Sequence, residues 1–242
     1  MTKQVTRPIL ILSALAEEQA ELCEFLRERR EDKWGEIPLV EGVIDGISVV
    51  IIRSGVGKVL ATLTAQYAID RYHPEALIMT GLAGTLRPEL ERGTVVVGRR
   101  LIQHDLRAEA LGWQRGQIPY TDVRWIETPE ALIDRALQYQ ERGMNLCAGN
   151  ILTGDQFIYG GLPGREDVMQ FAAEVEGDAI EMEGAAVAFV GSVNKIPTLV
   201  VRTISDSADA DAPTDFLSFL EQASERSARY IRWLVATKFY AR

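Results

Sequence analysis

Short apolar runs alternate with amphipathic segments along the whole sequence. The apolar runs lie at residues 8–14, 76–80, 94–103, 148–153 and 198–205. Runs of this length predict buried strands, and the amphipathic segments between them predict helices that cover the sheet. The alternation therefore predicts an α/β fold built on parallel strands joined by helices.

A hairpin and a long loop interrupt this alternation. Asp45-Gly46 is a two-residue turn signal, so residues 39–43 and 47–53 are expected to pair as antiparallel strands. Residues 106–125 lack a regular pattern, and long loops in compact domains are usually functional or interfacial. Helices are predicted at residues 17–30, 56–71, 129–142, 183–194 and 215–241.

The composition is that of an ordinary globular protein, with 47% hydrophobic and 25% charged residues among 242. No linker divides the chain, so we expect one domain over residues 7–242. The formal net charge of −9 disfavours binding to nucleic acid or to an anionic membrane, because both require clustered Lys and Arg. We therefore expect a small neutral or cationic ligand.

The cysteines and histidines argue against a disulfide framework and a metal centre. Cys23 and Cys147 are few and lie in apolar contexts, which favours reduced thiols and the cytoplasm. Residues 9–16 also have the form of a short secretory signal, but cleavage there would remove the predicted first strand. His73 and His104 lie far apart, so we expect neither a metal site nor any other cofactor.

Carboxylates follow two predicted strands at the points where the apolar sequence ends. Glu181 and Glu183 flank Met182, and on an extended backbone they would share one face. Asp206 directly follows the strand predicted at 198–205. Because strand ends border the ligand crevice of open α/β sheets, these carboxylates are candidate acids, bases or hydroxyl anchors.

Two glycine-rich segments also follow strands. Residues 54–58, Ser-Gly-Val-Gly-Lys, do not form a P-loop, because Ile52 stands at the first glycine position and Val59 at the Ser/Thr position. A tight strand-to-helix turn is the simpler interpretation. Residues 80–84, Thr-Gly-Leu-Ala-Gly, contain glycines that would let the backbone approach a ligand closely.

Taken together, six segments resemble the 5′-methylthioadenosine/S-adenosylhomocysteine nucleosidases in order and spacing. The resemblance runs from residue 9 to the last helix and implies a nucleoside phosphorylase-like fold. Such a fold is a single α/β domain with a twisted mixed central sheet flanked by helices, commonly in a homodimer. It also implies hydrolysis of the N-glycosidic bond of a 5′-substituted adenosine. The segments are residues 14–18, 54–58, 80–84, 154–158, 181–183 and 202–206.

The resemblance implies catalytic roles for three residues. Glu18 would activate the attacking water, Asp206 would protonate adenine at N7, and Ser205 would orient Asp206. Bond cleavage builds positive charge on the ribose and negative charge on the purine, so a proton donor and nearby carboxylates favour the transition state. Glu183 would accept hydrogen bonds from the ribose hydroxyls, and Met182 would pack beneath the sugar.

The remaining implied residues surround the adenine and the 5′ substituent. Phe157 would stack on adenine, and the backbone of Ile158 would contact its edge. Phe216 would lie beside the 5′ substituent, joined by Leu111 and Pro119 from the long loop of a neighbouring subunit. The predicted substrate-binding set is completed by Ala83, Gly84 and Glu181.

The sequence departs from the usual pattern of the family close to the sugar and the 5′ group. Leu82 replaces a small hydroxyl residue, Thr85 replaces glycine, Gly184 replaces alanine, and Leu111 stands where phenylalanine is common. The catalytic acids are present, but these replacements leave the preferred 5′ substituent open.

Two other functions fit the same scaffold. A purine nucleoside phosphorylase would need arginines to hold phosphate, and Glu17 and Met79 stand where those arginines are expected, so we expect them to disfavour the anion. A non-catalytic purine-nucleoside binding protein would not need a base that activates water, so the presence of Glu18 argues against it.

Overall fold

The computed structural model describes residues 7–209 and 211–241, within which the chain forms ten strands and six α-helices. The strands are β1 (Ile9–Ser13), β2 (Arg27–Trp34), β3 (Ile37–Ile44), β4 (Ile47–Arg53), β5 (Ala76–Thr85), β6 (Val95–Gln103), β7 (Ile126–Glu127), β8 (Leu146–Thr153), β9 (Ala179–Glu181) and β10 (Thr198–Asp206). The helices are α1 (Ala16–Cys23), α2 (Lys58–Tyr72), α3 (Glu130–Ala136), α4 (Arg165–Glu174), α5 (Gly184–Asn194) and α6 (Ala212–Thr237).

One mixed sheet contains a closed ring of strands and an open arm. The ring runs β5-β10-β6-β8-β9 and returns to β5, while the arm continues from β5 through β1, β4 and β3 to β2. The ring closes at Gly84, which pairs with Asp206 of β10 on one side and with Ile180 of β9 on the other. Parallel and antiparallel pairs both occur, so the predicted α/β class with a mixed central sheet is confirmed.

The sheet is apolar on both faces because helices cover both. Ile9 and Ile11 of β1 pack into the core beneath α1 and α6, whereas Leu10 and Leu12 pack into a second core beneath α2 and α5. All four side chains are fully buried, and each such burial contributes about 1.5–3 kcal/mol. A strand covered on both faces has no position for a polar alternation, which explains its continuous apolar sequence.

The predicted hairpin is confirmed and joins β3 to β4. Ile44 pairs with Ile47, and Asp45-Gly46 forms the turn between them. Both turn residues have positive φ, 47° and 85°, as a type I′ turn requires.

The first predicted helix is too long. Helix α1 ends at Cys23, and β2 occupies residues that the sequence analysis assigns to the helix. The Glu and Arg residues of 24–30 favour helices locally, but β2 obtains backbone hydrogen bonds by pairing with β3. Its charged, exposed side chains suit the edge of a sheet, where they oppose pairing with other chains.

Two other predictions are corrected by tertiary packing. The strand predicted at 76–80 continues to Thr85, because β10 pairs with it from Leu77 to Gly84. The helix predicted at 129–142 ends at Ala136, and Tyr139 beyond it packs against Tyr230 and Trp233 of α6. Helix α4 and strands β2 and β7 are absent from the predicted elements.

The loop at 106–125 is irregular, as predicted, apart from a 3₁₀ turn at Glu109–Leu111. Cys23 is buried and Cys147 is half-buried, and both are free thiols. In the part of the chain that the structure describes, no helix is both long and apolar enough to cross a membrane.

Candidate active site

A cavity of about 380 Å³ lies where the ring of strands closes. The segments that follow β1, β4, β8 and β9 contribute to its wall, together with the last residues of β5, β9 and β10. Helix α1 contributes Glu18, and helix α6 contributes Phe216. The structure therefore brings together the carboxylates that the sequence analysis singled out. The lining residues are Ala14, Leu15, Glu18, Val56, Leu82, Ala83, Gly84, Gln156, Phe157, Ile158, Ile180, Glu181, Met182, Glu183, Arg202, Ser205, Asp206 and Phe216.

Glu18 lies in the first turn of α1 and is held by the backbone before it. Its Oε2 accepts hydrogen bonds from the N–H groups of Ala14 and Leu15, both at 2.9 Å. This contact caps the helix and fixes the carboxylate at the cavity wall. Burial raises the pKa of Glu18, although the backbone donors and Arg202 oppose the increase. A carboxylate of raised basicity is suited to accept a proton from water.

Arg202 is a buried cation that the sequence analysis did not assign to the site. Its Nη2 donates to Oε2 of Glu181 and, at 3.3 Å, to Oε2 of Glu183. Burial tends to lower the pKa of Arg202, but the carboxylates around it raise the pKa overall. A lone arginine inside an apolar strand was the available signal, because a buried charge needs partners.

Gly81 leaves the space that this guanidinium occupies. A Cβ at Gly81 would collide with Nη1 of Arg202 and lie 3.0 Å from Oε1 of Glu18. Strand β5 therefore requires glycine at a position that the sequence analysis interpreted as a close approach to ligand. The close approach is to the protein's own charged side chains.

Glu181 is saturated by protein donors. Its Oε2 accepts the N–H groups of Glu183 at 3.0 Å and Gly184 at 2.7 Å, and Thr153 donates to its Oε1. A Cβ at Gly184 would lie 2.8 Å from Cγ1 of Val200 and 3.1 Å from both Glu181 oxygens, so this position favours glycine. Glu181 lines the cavity and anchors both Arg202 and the start of α5.

Glu183 precedes α5 and connects it to α2. Its Oε1 accepts the N–H of Gly57 at 2.8 Å, and Arg202 donates to its other oxygen. Burial raises its pKa to about 7, with Arg202 opposing the increase and Glu181 adding to it. The expectation of an extended 181–183 segment is wrong, because β9 ends at Glu181 and Glu183 has φ −136° and ψ −32°. The two carboxylates meet through Arg202 and not through a shared strand face.

Asp206 is the last residue of β10 and lines the cavity. Ser205 Oγ donates to its Oδ2 at 2.8 Å, and the N–H of Ala208 donates to its Oδ1 at 2.9 Å. Burial raises the pKa of Asp206 against the effect of both donors. A Cβ at Gly84 would lie 2.8 Å from Oδ1, so only glycine fits beside this carboxyl group. A carboxyl group that binds its proton more tightly than usual is suited to act as an acid.

Apolar side chains form the rest of the wall. Phe157 and Phe216 meet edge to face, with ring centroids 5.7 Å apart, while Ile158 is buried behind them. Met182 and Leu82 also line the cavity. The apolar side chain of Leu82 lies in the wall near Glu18.

The cavity lining does not include Leu111, Pro119, Glu17 or Met79. Leu111 and Pro119 lie on the 106–125 loop, away from the cavity of their own chain, and Leu111 is 73% exposed. Glu17 is exposed to solvent and Met79 is buried inside β5, so neither faces a bound anion. The expectation that these two residues disfavour phosphate stays a prediction, and the charged groups that line the cavity are those around Arg202 and Asp206.

The described residues include no cluster of three or more His, Cys, Asp or Glu side chains arranged to hold a metal ion. His104 is fully buried, and burial lowers its pKa to about 4, so its imidazole is neutral at physiological pH. A Cβ at Gly154 would collide with this ring, which explains the glycine at the end of β8.

Comparison with known proteins identifies the scaffold. A family model of the phosphorylase superfamily matches residues 8–236. A 5′-methylthioadenosine/S-adenosylhomocysteine nucleosidase of Anoxybacillus flavithermus is 32% identical over 94% of this chain and 97% of its own. An aminodeoxyfutalosine nucleosidase of Campylobacter jejuni is 34% identical over 92% and 96% of the two chains.

A solved structure agrees with these relatives. A mutant of the Helicobacter pylori 5′-methylthioadenosine/S-adenosylhomocysteine nucleosidase, with 5′-methylthioadenosine in its active site, superimposes with a TM-score of 0.89. It is 32% identical and covers 96% of this chain and 99% of its own. The family indicated by the six sequence segments is thereby confirmed. This chain belongs to the phosphorylase superfamily and, within it, to the family of 5′-methylthioadenosine/S-adenosylhomocysteine nucleosidases.

Proposed function

We propose that this enzyme hydrolyses the N-glycosidic bond of 5′-substituted adenosines, such as 5′-methylthioadenosine and S-adenosylhomocysteine, and releases adenine. The observation that carries the proposal is one cavity lined by Glu18, Glu183 and Asp206, each with a pKa raised by burial. Relatives with nucleosidase names and about one-third identity support the same reaction.

Departure of the purine requires a proton donor. As the glycosidic bond breaks, electron density moves onto the adenine ring, and protonation at N7 makes adenine a neutral leaving group. Asp206 would supply this proton, because its raised pKa favours the protonated form. Ser205 and Ala208 would fix the carboxyl group toward the purine. The bond then breaks with its electron pair on adenine and positive charge on the sugar.

Attack by water requires a base near the anomeric carbon. Glu18 would orient a water molecule and take one of its protons as the sugar becomes cationic. The backbone contacts at Ala14 and Leu15 restrict the carboxylate to one orientation, so little motion is needed during reaction. The hydroxide adds to the anomeric carbon and its proton goes to Glu18, so the products are adenine and a free 5′-substituted pentose. Proton exchange with solvent then returns Glu18 to the carboxylate and Asp206 to the acid.

Glu183 would hold the sugar by accepting hydrogen bonds from the ribose 2′ and 3′ hydroxyls. Its support by Gly57 and Arg202 keeps it at the cavity wall. Met182 would pack beneath the ribose, Phe157 would stack on adenine, and Phe216 would contact the 5′ substituent. Purine binding on an aromatic face gives affinity without a charge on the ligand.

The charges around Arg202 favour water over phosphate as the nucleophile. The guanidinium is already paired with Glu181 and Glu183, and Glu18 lies close enough to affect its pKa. A phosphate anion would therefore meet an excess of carboxylates, whereas a neutral water molecule avoids that repulsion.

We also propose a homodimer in which the 106–125 loop of one subunit completes the cavity of the other. Helix α2 presents an apolar stripe beside the cavity, in which Val59 is 77% exposed. An exposed stripe of this kind is typical of an interface. The partner loop would bring Leu111 and Pro119 to the 5′ substituent. The stripe consists of Val59, Leu60 and Leu63 of α2, and other exposed large apolar side chains are Val56 before the helix, Val193 of α5, and Leu111 and Tyr120 of the loop.

The free thiols Cys23 and Cys147 support a cytoplasmic location for this enzyme. Burial raises the pKa of both thiols, so neither is a reactive thiolate at neutral pH.

The test is a panel of 5′-substituted adenosines incubated with the purified protein. The panel contains 5′-methylthioadenosine, S-adenosylhomocysteine, 5′-deoxyadenosine and an aminofutalosine-type nucleoside, and free adenine is measured by chromatography. Release from at least one member, abolished by Asp206→Asn, is the expected result. No adenine from any member would reject the proposal, and the ranking of the members would identify the preferred 5′ group.

A further inference from the structure

Three segments of the chain, two of which border the cavity through Val56 and Gln156, meet at one half-buried lysine. Lys58 is the first residue of α2, Asp105 follows β6, and Asp155 follows β8. We propose that Lys58, with Asp105 and Asp155, is a positioning residue that sets the purine-binding segment 156–158. This inference rests on the proposed function, because it assumes that adenine binds against residues 156–158.

The contacts among the three residues form a closed network. Lys58 Nζ donates to Oδ1 of Asp105 at 2.6 Å and lies 3.7 Å from Oδ2 of Asp155. The N–H of Asp155 donates to Oδ2 of Asp105 at 2.9 Å. The N–H of Lys58 donates to Oδ1 of Asp155 at 2.8 Å. Each loop is therefore tied to both of the others.

The network also provides the cap that α2 lacks in its own sequence. Gly57 precedes the helix with φ 95°, and glycine offers no side chain to satisfy the free N–H groups of the first turn. Asp155 takes the N–H of Lys58, and Glu183 takes the N–H of Gly57. Two carboxylates from distant segments thus share the positive end of one helix.

Lys58 is the cation that makes this arrangement stable. Its side chain is 17% exposed and that of Asp105 is 24% exposed, so solvent screens their attraction only partly. Burial opposes ionisation of Asp105, but the hydrogen bond from Lys58 and that from Asp155 hold its pKa below the usual value. The adjacent His104 is neutral and cannot replace the ammonium group. Arg115 is engaged with Asp167 and the carbonyl of His104.

Loss of the ammonium group is expected to weaken purine binding more than it slows the hydrolysis step. Asp105 and Asp155 would repel each other, and the segment beginning at Gln156 would lose its fixed position. Glu18 and Asp206 share no contact with the network, so the proton transfers would keep their geometry. A charge-assisted hydrogen bond of this kind corresponds to a change in affinity of about tenfold or more.

The experiment compares adenine binding by calorimetry, and steady-state hydrolysis of 5′-methylthioadenosine, in the wild type and Lys58→Met. Arg232→Met is the matched control, because Arg232 forms an ion pair of similar length, 2.7 Å, with Asp45 on the exposed surface. Lys58→Met should raise the Kd of adenine and the KM of the nucleoside about tenfold, with kcat changed less than about threefold. Lys58→Arg should keep part of the adenine affinity that Lys58→Met loses. The double variant Lys58→Met/Asp105→Asn should lose less binding free energy than the sum of the losses in the two single variants.

Two results would overturn the network. One is wild-type adenine affinity in Lys58→Met, and the other is a fall in kcat and thermal stability at unchanged KM, which would indicate a purely structural ion pair. The wild type alone tests the proposed hydrolysis, separately from the role of Lys58. A wild type that binds adenine but releases none from 5′-methylthioadenosine counts against that substrate alone, whereas a wild type that binds no adenine rejects both proposals.

Discussion

Arg202→Met should destabilise the protein strongly, and the deficit should grow with pH. The guanidinium is 1% exposed and pairs with Glu181 and Glu183, and its charge also lowers the pKa of Glu18. Methionine fills much of the volume but supplies neither charge nor hydrogen-bond donor. The substitution therefore leaves a cluster of buried carboxyl groups without their cation.

The size of the effect follows from that burial. Removing one partner of a buried ion pair costs about 3–5 kcal/mol, against a total stability of about 5–15 kcal/mol for a typical domain. Without Arg202 the pKa values of Glu18 and Glu183 rise further, since Arg202 lowers both. A carboxyl group whose pKa is raised by folding keeps its full stability contribution below the unfolded value and loses it as pH rises through the folded value.

Urea denaturation of the wild type and Arg202→Met at about pH 5 and about pH 8 measures this effect. The difference in unfolding free energy should be larger at the higher pH, by about 1.4 kcal/mol each time the substitution raises a carboxyl pKa by one. Arg232→Met serves as the exposed control, with an expected cost below about 1 kcal/mol at either pH. A deficit for Arg202→Met no larger than that of the control, or one independent of pH, would refute the buried-charge argument.

Three further predictions address the chemistry and the assembly. Glu18→Gln and Asp206→Asn should each reduce adenine release by a factor of about 10² to 10⁴, while circular dichroism shows an intact fold. Near-normal turnover in either folded variant would remove that residue from the mechanism. The rate of adenine release should increase with pH through about 7 as Glu183 ionises, because only the carboxylate accepts both ribose hydroxyls. Glu183→Gln should be slow, and its rate should not rise across this pH range. A wild-type pH profile that is flat across this range contradicts the assignment of Glu183. Sedimentation should give a dimer that Val59→Glu weakens, with activity lost in parallel, whereas a fully active monomer at low concentration would reject the shared cavity.

The sequence predicts most of the cavity because its residues stand at the ends of recognisable strands. Asp206 and Glu181 could be located in this way, since β10 and β9 end on them. The family resemblance supplied the assignments that spacing alone leaves open, such as Phe157 and Phe216. Leu111 and Pro119 belong to the predicted partner contact and lie outside the cavity of a single chain.

Features created by contacts between distant segments were not predictable. Gly81 follows the predicted strand 76–80 in the sequence, but it lies inside β5. That position needs glycine because a Cβ there would collide with Arg202. The helix-favouring residues after Cys23 form β2 because β3 offers hydrogen-bond partners. The φ of 95° at Gly57 supports the predicted tight turn, but its contact with Glu183 joins positions 126 residues apart.

Product analysis in phosphate-free buffer tests the central claim most directly. The wild-type enzyme is incubated with 5′-methylthioadenosine, and the purine and sugar products are identified by mass spectrometry with and without added phosphate. We expect adenine and the free 5′-methylthiopentose in equal amounts, at a rate that phosphate does not increase, because water is the nucleophile beside Glu18. Activity that requires phosphate and yields a pentose 1-phosphate would contradict hydrolysis and identify the enzyme as a phosphorylase.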